Sequence, residues 1–216
     1  MATTTSSRIL PRPKSGEVRV RLAAVGMSAL GLQAAGFIEA VGPEAAGFAP
    51  GDRVAYPAAA ANKGLRPVVS ERDLIGFPKD VPIDKAVGFL PLGLIARMVV
   101  RQLHSIGNGN TVFVAPDSAA AFVEAWVRHL GGVIVDDAAR AEVVISSGDY
   151  AIARSWRNGA GSGQQAASDV FTMVRKGVFD AIPLPTYPLA EAASLRSIAA
   201  AGPVVLLPAE EFEKAA

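Results

Sequence analysis

The chain has 216 residues, half of them hydrophobic, with 21 basic and 20 acidic side chains and a formal net charge of +1. This balance gives no electrostatic pull toward nucleic acid or an anionic membrane surface, and the absence of cysteine excludes a disulfide framework, a thiolate nucleophile and Cys-ligated zinc. The length suffices for one large domain or two small ones, and a mean hydropathy of +0.31 points to a sheet buried on both faces or an apolar contact with a partner.

Residues 1–13 are rich in Thr and Ser and carry no apolar core, so they do not read as a secretory leader. The longest apolar run, Ala86 to Val100, is broken by Pro91 and Arg97 and is too short to span a bilayer. The expectation is a soluble, cytoplasmic protein with neither a membrane nor a nucleic-acid partner.

Alternation of Val18, Val20 and Leu22 with Arg19 and Arg21 predicts a strand over Glu17 to Val25. A second strand follows over Ala35 to Val41, and Pro50-Gly51-Asp52 turns the chain into a third that runs through Tyr56. Val68 to Phe77 adds another before Pro78 and Pro82. From Asp84 a helical stripe of Val87, Leu90, Leu94 and Met98 begins, with Asp84 as N-cap and Gly107 as stop. The order then becomes α/β. Strand Val112 to Ala115 leads to a helix over Ser118 to Leu130, then strands at Val133 to Asp136 and Glu142 to Ser146. A Gly-rich loop over Asn158 to Gly163 precedes helices near Ala167 to Lys176 and Ala190 to Ala200, and the last strand is Val204 to Leu207.

Four stretches resemble one family. They are Gly16-Glu17-Val18-Arg19-Val20-Arg21, then Ala35-Gly36-Phe37-Ile38-Glu39-Ala40-Val41-Gly42 continuing through Gly47-Phe48-Ala49-Pro50-Gly51-Asp52-Arg53-Val54, then Leu92-Gly93-Leu94-Ile95-Ala96, and Tyr187-Pro188-Leu189-Ala190-Glu191-Ala192. In this order they are similar to the zinc-independent quinone oxidoreductases of the medium-chain dehydrogenase/reductase superfamily. The resemblance implies an α/β chain with a GroES-like β domain and a shortened Rossmann-like, doubly wound α/β domain. Residues 1–83 would form the first and 84–183 the second, with 184–216 supplying a C-terminal helix and strand that pack on the first. It also implies NADPH-dependent reduction of quinones or enones.

Three departures touch cofactor or substrate. The family's Gly-Gly-x-Gly turn is matched here by Asp117, Ser118, Ala119 and Ala120. The connection between Val25 and Ala34 is much shorter than the family's, and most later Rossmann elements are missing between Asp137 and Ser168. A carboxylate about 4 Å from a phosphate charge costs about 4 kcal/mol at an effective dielectric near 20. A helix dipole returns only about 0.3 to 1 kcal/mol, and Cβ atoms at Ser118 and Ala120 obstruct backbone approach. Family-type cofactor binding is therefore expected to be lost, leaving no cofactor, with NADPH as the alternative.

Asp117 and Ser146 are the candidates for catalytic chemistry, and Asp136, at the end of the second Rossmann-like strand, is the candidate ribose ligand. Against these stand plainer roles: Asp117-Ser118 as a helix cap, and Asp136-Asp137 as an acidic strand end. His104 and His129 lie on different predicted helices with no ligand-spaced partner, so no metal site is expected. Ser146-Ser147-Gly148-Asp149 lacks a Gly-x-Ser-x-Gly elbow. The run Gly159 to Gly163 lacks the leading strand and following Lys of a phosphate loop. Tyr56 and Trp126 read as core aromatics and Trp156 as an exposed anchor.

Three functions remain open from sequence: a non-catalytic or partner-dependent subunit, as a homo-oligomer or beside a full-length relative; an NADPH-dependent quinone or enone reductase with an altered cofactor site; and a cofactor-independent isomerase, cyclase or lyase holding a small apolar ligand in the vacated cleft.

Overall fold

The computed structural model describes residues 10–58, 64–156 and 163–211. Its larger sheet is built on a long hairpin, β1 (Glu17–Ser28) and β2 (Gly31–Val41). The two strands turn at Ala29 and Leu30, with Gly31 at φ 99°. β1 runs three residues beyond the predicted end at Val25. The apolar run Ala23 to Met27 is buried, and its backbone pairs on both sides, with β2 and with the C-terminal strand. β3 (Arg53–Pro57) pairs with β2, and β4 (Val68–Ser70) with β1. β5 (Ile75–Gly76) forms one edge. The single strand expected over 68–77 is thus two short ones. Between them lies a 3-10 turn at Glu71–Asp73, its start held by the Ser70 hydroxyl accepting from the Arg72 amide.

α1 (Ile83–Met98) continues into a π-helical turn at Val99–Leu103. Its cap is Pro82 rather than Asp84, which lies inside the first turn where the helix dipole favours a carboxylate. Ten of its residues from Ala86 to Ala96 are buried, as expected of a helix covered on several sides. Gly26 of β1 makes one of these contacts possible. A Cβ there would collide with the Val87 carbonyl oxygen, so the helix backbone rests directly on the strand.

The smaller sheet holds β6 (Thr111–Val114), β7 (Val133–Ile134) and β8 (Val143–Ile145), parallel and in the order β7-β6-β8. α2 (Ala120–His129) follows β6 and begins two residues later than expected. α3 (Ser147–Trp156) follows β8. It was not foreseen, because Ser147-Gly148-Asp149 reads as loop chemistry. α4 (Gly163–Arg175) starts at the last residue of the expected Gly-rich loop, and the rest of that loop lies outside the described residues.

β9 (Thr186–Pro188) leads to a 3-10 turn at Leu189–Glu191 and to a short α5 (Arg196–Ala201). The longer helix expected over Ala190 to Ala200 is interrupted where the Ser194 hydroxyl donates to the Glu191 carbonyl, a local bond that competes with helical pairing. β10 (Val204–Leu207) then pairs antiparallel with β1, matching Gly26 to Val205, and parallel with β9. The larger sheet therefore runs β5-β3-β2-β1-β10-β9, with β4 also on β1.

Two apolar layers follow from this alternation. Ala24, Ala35, Ala55 and Val205 face α1 and share one core with Phe89, Phe122, Trp126, Phe171 and Phe179. Val25, Met27, Val54, Tyr56, Val204 and Leu206 face the other way, toward Leu195 and Ala199. Among the described residues no helix is long and apolar enough to cross a membrane.

Candidate functional site

β6 and β8 lie side by side, with Val114 opposite Ile145, and the Ala115 amide donates to the Ile145 carbonyl at 2.9 Å. α2 carries the chain to β7 on one side of β6, while β8 flanks the other. In α/β sheets such a switch point opens a crevice that holds ligands. Here it is framed by the turn 115–119 and by Ser146 at the start of α3.

Arg154 of α3 spans the crevice. Its Nη2 lies 2.6 Å from each carboxylate oxygen of Asp117 and 3.5 Å from the Ser118 hydroxyl. Asp117 Oδ1 also accepts from the Ala119 amide at 2.9 Å and from Ser118 Oγ at 3.3 Å. The Ala120 amide donates to the Asp117 carbonyl. Two amides at the head of α2 are thus engaged within the turn. Asp117 forms a local side-chain loop two residues before the helix cap, Ala119, rather than the cap itself.

Burial opposes ionisation of Asp117. The Arg154 hydrogen bonds, the Ala119 amide and the Ser118 hydroxyl outweigh it and hold the carboxyl below its ordinary value. A general acid or base working near neutrality needs the opposite shift.

Tyr150, fully buried on α3, donates to the Ala115 carbonyl at 3.4 Å. Burial, then the neighbouring Asp117 and Glu124, push its phenol well above the usual range.

Ser146, Asp149 and His104 meet at the same end of the sheet. Asp149 Oδ2 accepts from the Ser146 amide and hydroxyl, both at 2.7 Å, and its Oδ1 lies 3.0 Å from His104 Nε2. The residue types are those of a hydrolytic triad, but the carboxylate stands in the middle. No imidazole is placed to take a proton from Ser146 Oγ. Burial raises the Asp149 pKa, but the Ser146 and His104 hydrogen bonds together lower it below the ordinary value. The carboxylate ties the π turn after α1 to the start of α3.

The remaining candidates do not converge here. Asp136 is exposed beyond the end of β7, and Asp137 caps the 3-10 turn at Ala138–Arg140. His129 is exposed on α2. Trp126 is buried against Phe179, and Tyr56 is buried with its hydroxyl unpartnered. The Trp156 side chain lies outside the described residues. No group of three or more His, Asp or Glu side chains able to hold a metal occurs among the described residues.

The residues at the crevice do not match what a pyrophosphate requires. The turn carries a carboxylate and three Cβ-bearing neighbours where a dinucleotide turn carries glycines. The Ala119 and Ala120 amides are already engaged. The parallel sheet has three strands among the described residues, whereas a dinucleotide fold builds two mononucleotide halves.

Sequence reasoning missed Arg154, Tyr150 and the His104–Asp149 contact. All three depend on α3, whose polar, Gly-containing start hid it. A period-3.6 reading of Tyr150, Ala153 and Arg154 was the available signal.

The two-part architecture, an antiparallel β unit joined by a buried helix to a short parallel α/β unit, is that of a GroES-like domain with a shortened Rossmann-like partner. No protein-family model matches the chain. It is 30% identical over 141 residues to a quinone oxidoreductase of Pseudomonas aeruginosa, covering 55% of this chain and 43% of that protein. It is 28% identical over 150 residues to a 2-haloacrylate reductase of a Burkholderia species, covering 57% of this chain and 45% of that protein. The chain therefore spans less than half the length of either. Among solved structures, it is similar to a quinone oxidoreductase of Pseudomonas syringae, with a TM-score of 0.69 at 20% identity over 92% of this chain and 93% of that one. It is also similar to Escherichia coli quinone oxidoreductase complexed with NADPH, with a TM-score of 0.64 at 16% identity over 93% and 94%. In part of its sequence and in its fold, the chain is similar to quinone oxidoreductases.

Proposed function

We propose that this chain is a degenerate, quinone-oxidoreductase-like protein that has lost family-type NADPH binding and acts by association, as a homo-oligomer or beside a full-length relative. The observation that carries this reading is the Arg154–Asp117 pair laid across the switch-point crevice. A pyrophosphate there would have to displace an ion pair made inside the protein and gain amides that are already bonded. Support for association comes from the shortened parallel sheet. Its outer strands β7 and β8 each have one neighbour among the described residues, and Val133 and Val144 on them are 53% and 44% exposed. Such edges invite pairing unless covered.

The test is calorimetric titration of NADPH into the purified chain, with light scattering on the same sample. No heat at millimolar cofactor, together with an assembly larger than one chain, is the expected result. Micromolar NADPH binding would overturn the loss of the cofactor site, and a clean monomer with no captured relative would overturn association.

One observation favours the second reading, an NADPH-dependent quinone or enone reductase with an altered site. Arg154 neutralises Asp117, so the turn opposes a phosphate less strongly than a bare carboxylate would. Quinone-dependent oxidation of NADPH by the chain, or by its complex with a relative, is the measurement that would establish it.

A further inference from the structure

The large sheet carries a cavity on the face turned away from α1. Gly26 and Val205 point toward α1, whereas Met27 and Val204, each one residue along, point to the opposite side with Leu195 and Ala199. Between the β1–β2 hairpin tip and α5 on that side lies a cavity of about 590 Å³. Volumes of about 300 to 1,000 Å³ are usual for small-ligand sites. Its walls are almost entirely apolar, with Met27 and Leu32 from the hairpin and Ala193 and Ala200 from the C-terminal segment. Among its lining residues only Arg196 can bring a polar side chain to it, because Ser28 follows Met27 in β1 and strand alternation turns its side chain to the face of Gly26.

Arg196 gives the cavity its chemistry. Arg196 is exposed at the cavity and forms no ion pair or hydrogen bond among the described residues. By contrast Arg19, Arg97, Arg154 and Arg175 each pair with a carboxylate. One unpaired guanidinium at an apolar cavity matches a single carboxylate on an aliphatic tail. The guanidinium fork fits the two carboxylate oxygens, and the tail replaces water against Met27 and Leu32. A dianionic phosphate head would find only one cation here.

We infer that the cavity between the hairpin tip and α5 binds a medium-chain aliphatic carboxylate, its head on Arg196 and its tail along Met27 and Leu32. This site is separate from the crevice, so its occupation does not depend on whether NADPH binds.

The experiment titrates the full chain with sodium hexanoate, octanoate and decanoate, and with 1-octanol as the uncharged control, by heteronuclear NMR and calorimetry. Affinity is expected to rise about fourfold per methylene, and octanoate to bind at least tenfold tighter than octanol. Arg196→Gln, at an exposed position, should erase the preference for octanoate and leave octanol binding unchanged. Ala200→Phe should fill the cavity and abolish both, with an unaltered far-UV spectrum showing that the fold survives. Equal binding of octanoate and octanol, octanoate binding unchanged in either variant, or no binding of any of the acids at millimolar concentration would each overturn the assignment. None of these results bears on the crevice, which the NADPH titration reads independently.

Discussion

A single nitrogen of Arg154 sits 2.6 Å from both carboxylate oxygens of Asp117, joining residues 37 positions apart. The Arg154 side chain is 35% exposed and that of Asp117 15%, so the pair lies between a surface ion pair and a buried one. Arg154→Met should destabilise the chain by about 1 to 2 kcal/mol, more than the 0 to 1 of exposed pairs and less than the 3 to 5 of buried ones, lowering the melting temperature by about 2 to 8 °C. Thermal melts of Arg154→Met, Asp117→Asn and the double variant check this. If the pair is real, the double variant loses less than the sum of the single losses.

Acid should act on the same corner of the molecule. Asp117 and Asp149 both ionise at lower pH in the folded chain than an ordinary carboxylate does. A depressed folded value means that their contribution is complete above the unfolded pKa, about 3.9. It is lost as pH falls from there through the folded value. Urea unfolding should therefore show stability declining below about pH 4. Asp117→Asn and Asp149→Asn should each flatten that decline. An unchanged slope in both variants would remove these two groups as its source.

The seat of α1 on the larger sheet depends on a missing methyl group. Gly26→Ala would drive a Cβ into the Val87 carbonyl, a backbone atom that cannot rotate away. The expected loss is about 3 kcal/mol, at the upper end for overpacking. Gly202→Ala is the matched control, because Gly202 is extended and no atom lies within 4 Å of its added Cβ. It should stay within about 0.5 kcal/mol of the parent. Denaturant midpoints of the two variants decide the matter.

The sequence was readable where a residue pattern answered to one local constraint. β1 followed from period-2 alternation, β3 from the turn residues around Gly51, β10 from a short apolar run between two prolines, and α1 from its apolar spacing. Legibility failed where tertiary bonds set the outcome. β1 extends to Ser28 because β2 and β10 both supply partners for its backbone. β9 is three residues long and exists through its pairing with β10. At the crevice the lack of glycine in the turn 117–120 is plain in the sequence, but nothing local shows that Asp117 is paired. Its partner stands on a helix that local composition concealed, and pairing across 37 residues leaves no periodic trace.

The departures from the family at the crevice can be separated experimentally. If only the turn were at fault, then Asp117→Gly with Ser118→Gly and Ala120→Gly, combined with Arg154→Ala, would restore cofactor binding. The parallel sheet contributes three strands among the described residues, and one mononucleotide half cannot grip both ends of a dinucleotide. The quadruple variant should therefore still give no heat with NADPH at millimolar concentration. Recovery of micromolar binding would show that the turn alone is responsible.

An exposed valine marks the outer strand β8. Val144 sits on a strand whose one neighbour among the described residues is β6, and it is 44% exposed where an inner strand would be covered. If association uses this edge, a charge there should block it, because natural sheets use lysine to keep edges apart. Val144→Lys is expected to convert the assembly to a monomer in light scattering. Replacing an exposed side chain should leave thermal stability, read at the same protein concentration in the dissociated state, within about 0.5 kcal/mol. Lys at Ile198, equally exposed but on α5, should leave the assembly intact. An assembly that survives Val144→Lys and dissolves with Ile198→Lys would move the interface to the C-terminal face, over the apolar cavity, and would end the assignment of β8 as the contact.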